Sequence, residues 1–342
     1  MILVTGGTGL VGAHLLYYLT EKHDHIRATK RSQSTLEPVK AVFKQYTPHH
    51  EAAFNKIEWV TANITDIPQL TQAFQGVTHV YHCAAFISFN PKHYQALKKT
   101  NIEGTANVVN LCIDFGIEKL CYVSSIATLG DAIDGTMITE ETHWNSEANN
   151  NVYAITKFGA EMEVWRGAQE GLAVVIVNPG LILGEGFWHS GSGVIIKKAA
   201  KGIQWITTGS TGFVDVRDVV VVLIQLMEGT QKNERYILIA ENLPYKDLLA
   251  RFSRVFGVAA PKKVIHKRWL LLLSWVDGIS AKIFGTKRTL LKATVESLYT
   301  STYYDNNKVK NHLNHNFLPI QTTIERVAKA YQDYCDSTGS SN

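Results

Sequence analysis

From the second residue to about residue 240, short apolar runs rich in β-branched side chains alternate with stretches where apolar residues recur every three or four positions. The runs are ILVT (2–5), HIRAT (25–29), IEWVT (57–61), HVYHC (79–83), LCYVSS (120–125), AVVIVN (173–178) and YILIA (236–240). Such runs suit strands covered on both faces, the condition of a parallel sheet. Between them, Val11, Leu15 and Leu19 share one helical face, as do Ile102, Ala106, Val109 and Ile113. This alternation predicts an α/β fold, a doubly wound parallel sheet flanked by helices.

After about residue 183 the pattern changes. GEGFWHSGSG (184–193) reads as loop, FVDVRDVVVVLIQLME (213–228) returns to strand and helix, and a mainly helical segment follows. The expected division is a main domain of residues 1–183 and 212–240, a smaller, mainly helical substrate lobe of 184–211 and 241–335, and a loose tail over 336–342. Ile324, Val327, Ala328 and Tyr331 form one apolar helical face. Trp269, Leu272, Leu273, Val276, Ile279 and Ile283 form another, which reads first as an ordinary buried helix. Covering the substrate pocket and lying on a membrane surface are the alternatives for it. With Asp277 and Lys282 inside it, the run falls short of the roughly 20 apolar residues of a spanning helix. The lobe's Phe187, Trp188, Trp205, Tyr245, Trp269 and Trp275 suit a mostly apolar pocket.

Composition narrows the classes. At 342 residues, 45% apolar and 19% charged, the chain is an ordinary globular one, longer than a single core usually organises. Lys and Arg total 34 against 30 Asp and Glu, without a basic arm, so nucleic acid is not an expected partner. Cys83, Cys112, Cys121 and Cys335 show neither metal-ligand spacing nor disulfide density, which points to a reducing, cytoplasmic setting. MILVTGG lacks the basic and long apolar regions of a secretory signal. His79 and His82, three apart on a strand, point to opposite faces and make a poor metal pair, and HLNHN near residue 312 reads as a polar loop.

The chemistry begins at ILVTGGTGLVGAHLLYYL, a strand, a glycine turn and a helix. Gly7, Gly9 and Gly12 satisfy G-x-G-x-x-G, and Gly6, Gly9 and Gly12 a longer-spaced variant. Glycines are needed there for a tight turn and for close approach of a pyrophosphate, whose charge the helix N-terminus meets. At the end of the second strand, where a carboxylate would take the ribose of NAD, stand Lys30 and Arg31. Two cations attract a 2′-phosphate, so NADP(H) is the expected cofactor, with NAD(H) the other candidate.

In NNNVYAITKFGAEMEVW an Asn-rich loop precedes a helix on which Tyr153 and Lys157 share a face. A nearby ammonium and an oxidised nicotinamide would lower the phenol's pKa from its ordinary value of about 10 toward neutrality. YVSSIATLG supplies Ser124 and Ser125 at the carboxyl edge of a parallel strand, where ligands of such sheets bind. Glycine loop, serine strand and Tyr-Lys helix, in that order, predict a hydride-transfer site.

These motifs, with YHCAA, NIEGTANVV and VNPGLILG, make the chain resemble the extended short-chain dehydrogenase/reductases, which include the NAD-dependent epimerase/dehydratases, over nearly its whole length. The resemblance implies a Rossmann domain with cofactor contacts at Gly6, Gly9, Leu10, Val11, Gly12, Ala84, Ala85 and Pro179. It places Asn63 and Ile64 at the adenine, where relatives often carry Asp, and makes Asn101 a structural residue. It gives Ser125 the substrate oxygen, turns Ser124 toward the cofactor, makes Tyr153 the proton donor or base, and has Lys157 hold the nicotinamide ribose. VDVRDV, with Asp215, Arg217 and Asp218, is structural by the same comparison.

IRATKRS, YVSSIATLG and FVDVRDVV look most similar to the dihydroflavonol 4-reductase and 3β-hydroxysteroid dehydrogenase branch. That branch handles a single carbonyl or alcohol. Sugar-nucleotide enzymes of the family usually carry Arg where Thr211 and Gly212 stand. The expectation is an NADP(H)-dependent reductase of a small, largely apolar carbonyl substrate. A nucleotide-sugar epimerase or dehydratase with tightly bound NAD is the enzyme alternative, and a dinucleotide-sensing scaffold the non-enzyme one. The helices over 101–115 and 153–170 are apolar enough to pair in a homodimer.

Overall fold

The computed structural model describes residues 1–132, 135–284 and 291–339. Its strands are β1 (Ile2–Thr5), β2 (Ile26–Lys30), β3 (Ile57–Thr61), β4 (His79–His82), β5 (Lys119–Val123), β6 (Val174–Pro179), β7 (Leu181–Leu183), β8 (Trp205–Ile206), β9 (Ser210–Asp215), β10 (Glu234–Leu238), β11 (Glu241–Pro244) and β12 (Lys263–Val264). Seven of them form one sheet in the order β10-β6-β5-β4-β1-β2-β3, parallel at every pairing. These are the seven apolar runs of the sequence, with ends shifted by a residue or two.

Successive residues of each central strand enter different cores, as the two-residue period of a strand requires. Val4, Tyr81, Cys121, Val175 and Val177 pack with the helices Leu10–Thr20 and Val216–Glu228. Leu3, Val80, Leu120, Tyr122, Val174 and Ile176 pack on the other side with Gly104–Asp114 and Val152–Gln169. Each fully buried Leu, Ile or Val contributes about 1.5–3 kcal/mol relative to exposure, so the two-sided burial stabilises the sheet that carries the site.

The strand order reverses at β1, between β4 and β2, which opens a crevice beyond the carboxyl ends of the strands. A smaller sheet, β11-β9-β7, and the helices Ser192–Ala200, Tyr245–Phe256 and Ile320–Thr338 enclose a further core containing Trp188, Phe213, Phe252, Ile324, Val327 and Tyr331. The expected boundary at residue 212 falls inside β9; the chain rejoins the large sheet with the helix Val216–Glu228 and with β10.

VDVRDV ties the parts together. Asp215 caps Val216–Glu228 by accepting from the Arg217 N–H at 2.8 Å, and also receives Thr323 Oγ1 at 2.7 Å and the Arg326 guanidinium. Arg326 also pairs with the buried Glu185, which Arg217 reaches at 3.2 Å. Asp218 accepts from the Leu318 N–H at 3.0 Å and pairs with His315 at 3.1 Å.

Three local expectations change. HLNHN is not a plain loop: His312 and Leu313 end the helix Asn307–Leu313, Asn314 closes it in the left-handed conformation, and His315 is buried against Asp218. The last helix runs past Asp336 to Thr338, because the Ser337 and Thr338 hydroxyls donate back to the Tyr334 carbonyl and Gly339 caps it with φ +62°; residues 340–342 of the expected tail lie outside the described residues.

The third change is the Leu-rich helix, Lys267–Phe284. It turns its apolar face outward: Trp269 is 64% and Trp275 63% exposed, with Leu272, Leu273 and Val276 exposed beside them, while Ser274 is buried. The side chains of Ile279, Lys282 and Ile283 lie outside the described residues.

Candidate active site

The glycine turn is tight at two positions and open at a third. Gly6 has φ +72°, and a Cβ there would stand 2.5 Å from the Ala84 nitrogen, so the turn lies directly on the strand-end loop of β4. At Gly12 a Cβ would stand 2.2 Å from the Gly6 carbonyl oxygen. Gly9 differs: a Cβ there would meet nothing closer than the Gly6 oxygen at 3.4 Å. The chain's own packing therefore leaves room at Gly9, directly before a helix whose first amides, Leu10 to Gly12, receive no capping side chain. Uncapped donors beside open space fit the diphosphate of a dinucleotide.

Lys30 and Arg31 lie at the end of β2, and their side chains form no ion pair among the described residues. Asn63 is exposed, but its side-chain oxygen accepts from the Thr65 N–H at 3.2 Å, which leaves the amide NH2 as its outward group. Ile64 is buried beneath Gly104, and its carbonyl accepts from Asn107 at 3.0 Å. Ala85 is exposed next to Ala84, and Pro179 is buried at the end of β6, opposite Leu238.

Asn151 starts the Tyr-Lys helix, its side chain accepting from the Ala154 N–H at 2.9 Å. Tyr153, half-buried, sits edge-on to Phe89 with ring centroids 5.5 Å apart. Burial raises its pKa, and the neighbouring Ser125 hydroxyl opposes the rise. The Ser125 oxygen accepts from the Ala127 N–H at 3.1 Å, fixing the hydroxyl at the head of a short 3-10 turn, Ile126–Thr128.

Lys157 is 1% exposed and reaches inward, donating to the Tyr122 hydroxyl at 2.5 Å and to the Val123 carbonyl at 2.9 Å. Burial brings its pKa down to about 7, against the pull of Glu161 and Cys83. The expected lowering of the Tyr153 pKa by Lys157 is absent from this arrangement, because the ammonium faces Tyr122 and burial dominates at the phenol.

Ser124 also departs from expectation. Its hydroxyl donates to Glu161 at 2.5 Å, beneath the strand end and away from the crevice. Neighbouring residues of an extended strand point to opposite sides, so with Ser125 directed at Tyr153, Ser124 is turned inward.

Two buried networks behind the site were not read from the sequence. Glu161, with no exposure, accepts from Ser124, Thr128 at 2.7 Å, Asn178 at 2.9 Å and Arg235 at 3.1 Å. It follows Tyr153 and Lys157 at the same four-residue interval, the one signal that marks it. The second network runs from Lys157 to Tyr122, whose ring stacks on His82, and from His82 to Thr105 and Thr5. Both His82 ring nitrogens are engaged, Nδ1 with Thr5 Oγ1 at 2.6 Å and Nε2 with Thr105 Oγ1 at 2.9 Å, and burial drops its pKa to about 3.

Asn101 joins the two sides. It lies in a π-helical turn, Lys98–Glu103, accepts from the Phe86 N–H at 2.8 Å, and donates to the Phe86 carbonyl at 3.0 Å and to Thr156 at 3.2 Å.

A cleft of about 690 Å³ opens beside Tyr153. Phe89, Tyr245 and Tyr304 line it together with Asn150, Ser210 and Thr211, so it is mixed in character where an apolar pocket was expected. Of the expected aromatic set only Tyr245 reaches it: Trp188 is buried in the lobe's core, Phe187 packs against the main core, and Trp205, Trp269 and Trp275 are exposed.

Residues 2–239 match the model of the NAD dependent epimerase/dehydratase family. A Synechocystis protein named "Putative dihydroflavonol 4-reductase" is 31% identical over 336 residues, 96% of this chain and 92% of that one. Sterol demethylase protein B of Methylococcus capsulatus is 28% identical and covers 84% of each chain. Among solved structures, that of gox2253 superimposes with a TM-score of 0.81 at 26% identity over 98% of both chains. With seven parallel strands, a glycine turn shaped for a diphosphate and these matches, the chain belongs to the NAD dependent epimerase/dehydratase family and is an NAD(P)-dependent oxidoreductase.

Proposed function

We propose that the protein is an NADP(H)-dependent reductase of a single carbonyl group, or the dehydrogenase of the corresponding alcohol. The observation that carries this reading is the meeting of the Ser125 and Tyr153 hydroxyls, with the Tyr153 ring packed edge-on against Phe89 of the cleft wall. A carbonyl oxygen placed between those hydroxyls receives a hydrogen bond from Ser125 and the proton from Tyr153 Oη. When bound, the nicotinamide supplies the hydride to the carbonyl carbon, or accepts it in the reverse direction. Gly9, Leu10 and Val11 would hold the diphosphate, Lys30 and Arg31 a 2′-phosphate, and Lys157 the nicotinamide ribose.

The mixed lining favours a substrate with both an apolar portion, against Phe89 and Tyr304, and oxygen functions, against Ser210 and Thr211. That polarity also favours, as the second reading, a nucleotide sugar with tightly held NAD; the lack of an arginine among the described residues lining the cleft counts against it. Four free cysteines support a reducing, cytoplasmic setting. The exposed Ile155 and Met162 on the Tyr-Lys helix support a homodimer through that face.

Turnover of a ketone panel by Tyr153→Phe tests the reading. A fall of at least about 10²-fold in kcat with NADPH is expected, and unchanged turnover would remove the tyrosine from the reaction. A purified chain carrying stoichiometric oxidised NAD would favour the second reading.

A further inference from the structure

We propose that the outward face of the helix Lys267–Phe284, with the adjoining β8/β12 pair, docks on the surface of an anionic phospholipid bilayer. The helix is inverted relative to one serving a core. Trp269, Leu272, Leu273, Trp275 and Val276 cover an arc of about 160° at 100° per residue, and all are exposed, while Ser274 is buried. Next to it Trp205 and Val264, which begin β8 and end β12, are each about half exposed.

The charge around this apolar face is of one sign. Lys262, Lys263, Lys267 and Arg268 are all exposed, and the Lys263 ammonium lies 5.5 Å from the centroid of the Trp205 ring. From Lys262 to Lys292 the sequence contains a single carboxylate, Asp277. Tryptophan beside lysine and arginine matches a lipid headgroup layer, which takes the indole rings at the carbonyl level and the cations at the phosphates. A second copy of the chain fits less well, because a two-fold contact would set this basic patch against itself. No helix among the described residues is long and apolar enough to cross a membrane, so the contact lies along the surface.

Lys267 begins the helix and also lines the cleft beside Tyr153, so docking sets the mouth of the cleft against the lipid. Delivery of substrate from that layer rests on the reductase reading; the docking does not.

Flotation of the full chain with phosphatidylcholine vesicles and with phosphatidylglycerol vesicles tests the proposal without any turnover assay. Partition onto phosphatidylglycerol at least about tenfold stronger is expected, weakening as salt rises and accompanied by a blue shift of tryptophan emission. The double variant Trp269→Ser/Trp275→Ser, with an unchanged circular dichroism spectrum, loses this binding. Lys262→Glu/Lys263→Glu loses the preference for the anionic lipid. Failure to bind either vesicle, or equal binding by wild type and the tryptophan variant, would overturn the proposal. So would a dimer that Trp269→Ser dissociates, which would assign the face to a second copy.

Discussion

The Lys157 ammonium donates to the Tyr122 hydroxyl across 2.5 Å, so the cation of the Tyr-Lys pair is held by a residue of the strand behind it. With its pKa near 7, Lys157 is protonated below neutrality and loses its charge above. If the charged form grips the nicotinamide ribose, NADPH affinity should weaken by up to about tenfold for each pH unit above that midpoint. Fluorescence titration across pH 6–9 would show it. Tyr122→Phe removes a hydrogen bond to the charged form and should move the midpoint lower, whereas Lys157→Met should flatten the curve.

The reading of the cofactor as phosphorylated rests on Lys30 and Arg31. Arg31→Ala combined with Lys30→Ala should weaken NADPH binding by about tenfold to a hundredfold while leaving NADH within about twofold. Parallel titrations with the two cofactors decide it; equal losses would mean that the cations do not meet a 2′-phosphate.

His82 should make the fold acid-sensitive. Its folded pKa, about 3, lies below the ordinary 6.5, so between those values the unfolded chain binds the extra proton. Stability should therefore rise as pH increases from about 3 to 6.5 and fall on acidification through the same window, by a few kcal/mol at most. Urea unfolding of the wild type and His82→Gln at several pH values checks it: the variant should show a shallower dependence.

Arg326 holds two buried carboxylates, Glu185 and Asp215, on different segments of the chain. Arg326→Ala leaves both without that partner and should cost about 3 kcal/mol, the low end for a broken buried pair because the guanidinium is partly exposed. Arg326→Lys should recover part of it. Thermal unfolding with both variants would separate loss of charge from loss of the two-pronged geometry.

Much of the fold was legible because its strands are buried on both faces and stand out as apolar runs. Helical period told which residues of Lys267–Phe284 share a face, but not whether that face points to the core or to solvent; Trp269 and Trp275 were misread for that reason. At the site, Tyr153 and Lys157 were visible from spacing and Ser125 from the family resemblance, whereas nothing in the sequence marks Tyr122, inside an apolar strand run, as a buried partner, and only the four-residue interval marks Glu161, on a mixed helix. Their partners, 35 and 37 positions away, are brought near only by strand register. Ser124 and Ser125 are chemically identical neighbours, and the pleat of the backbone, not composition, decides which one meets the tyrosine.

The carboxamide of Asn101 grips Phe86 from both ends of its peptide and Thr156 one residue from Lys157. Loop and helix are thereby fastened together, so a shift where the glycine turn rests on Ala84 should be felt at the helix that carries Tyr153. Hydrogen exchange at the Phe86 amide would act as a remote gauge of how firmly Tyr153 is aimed.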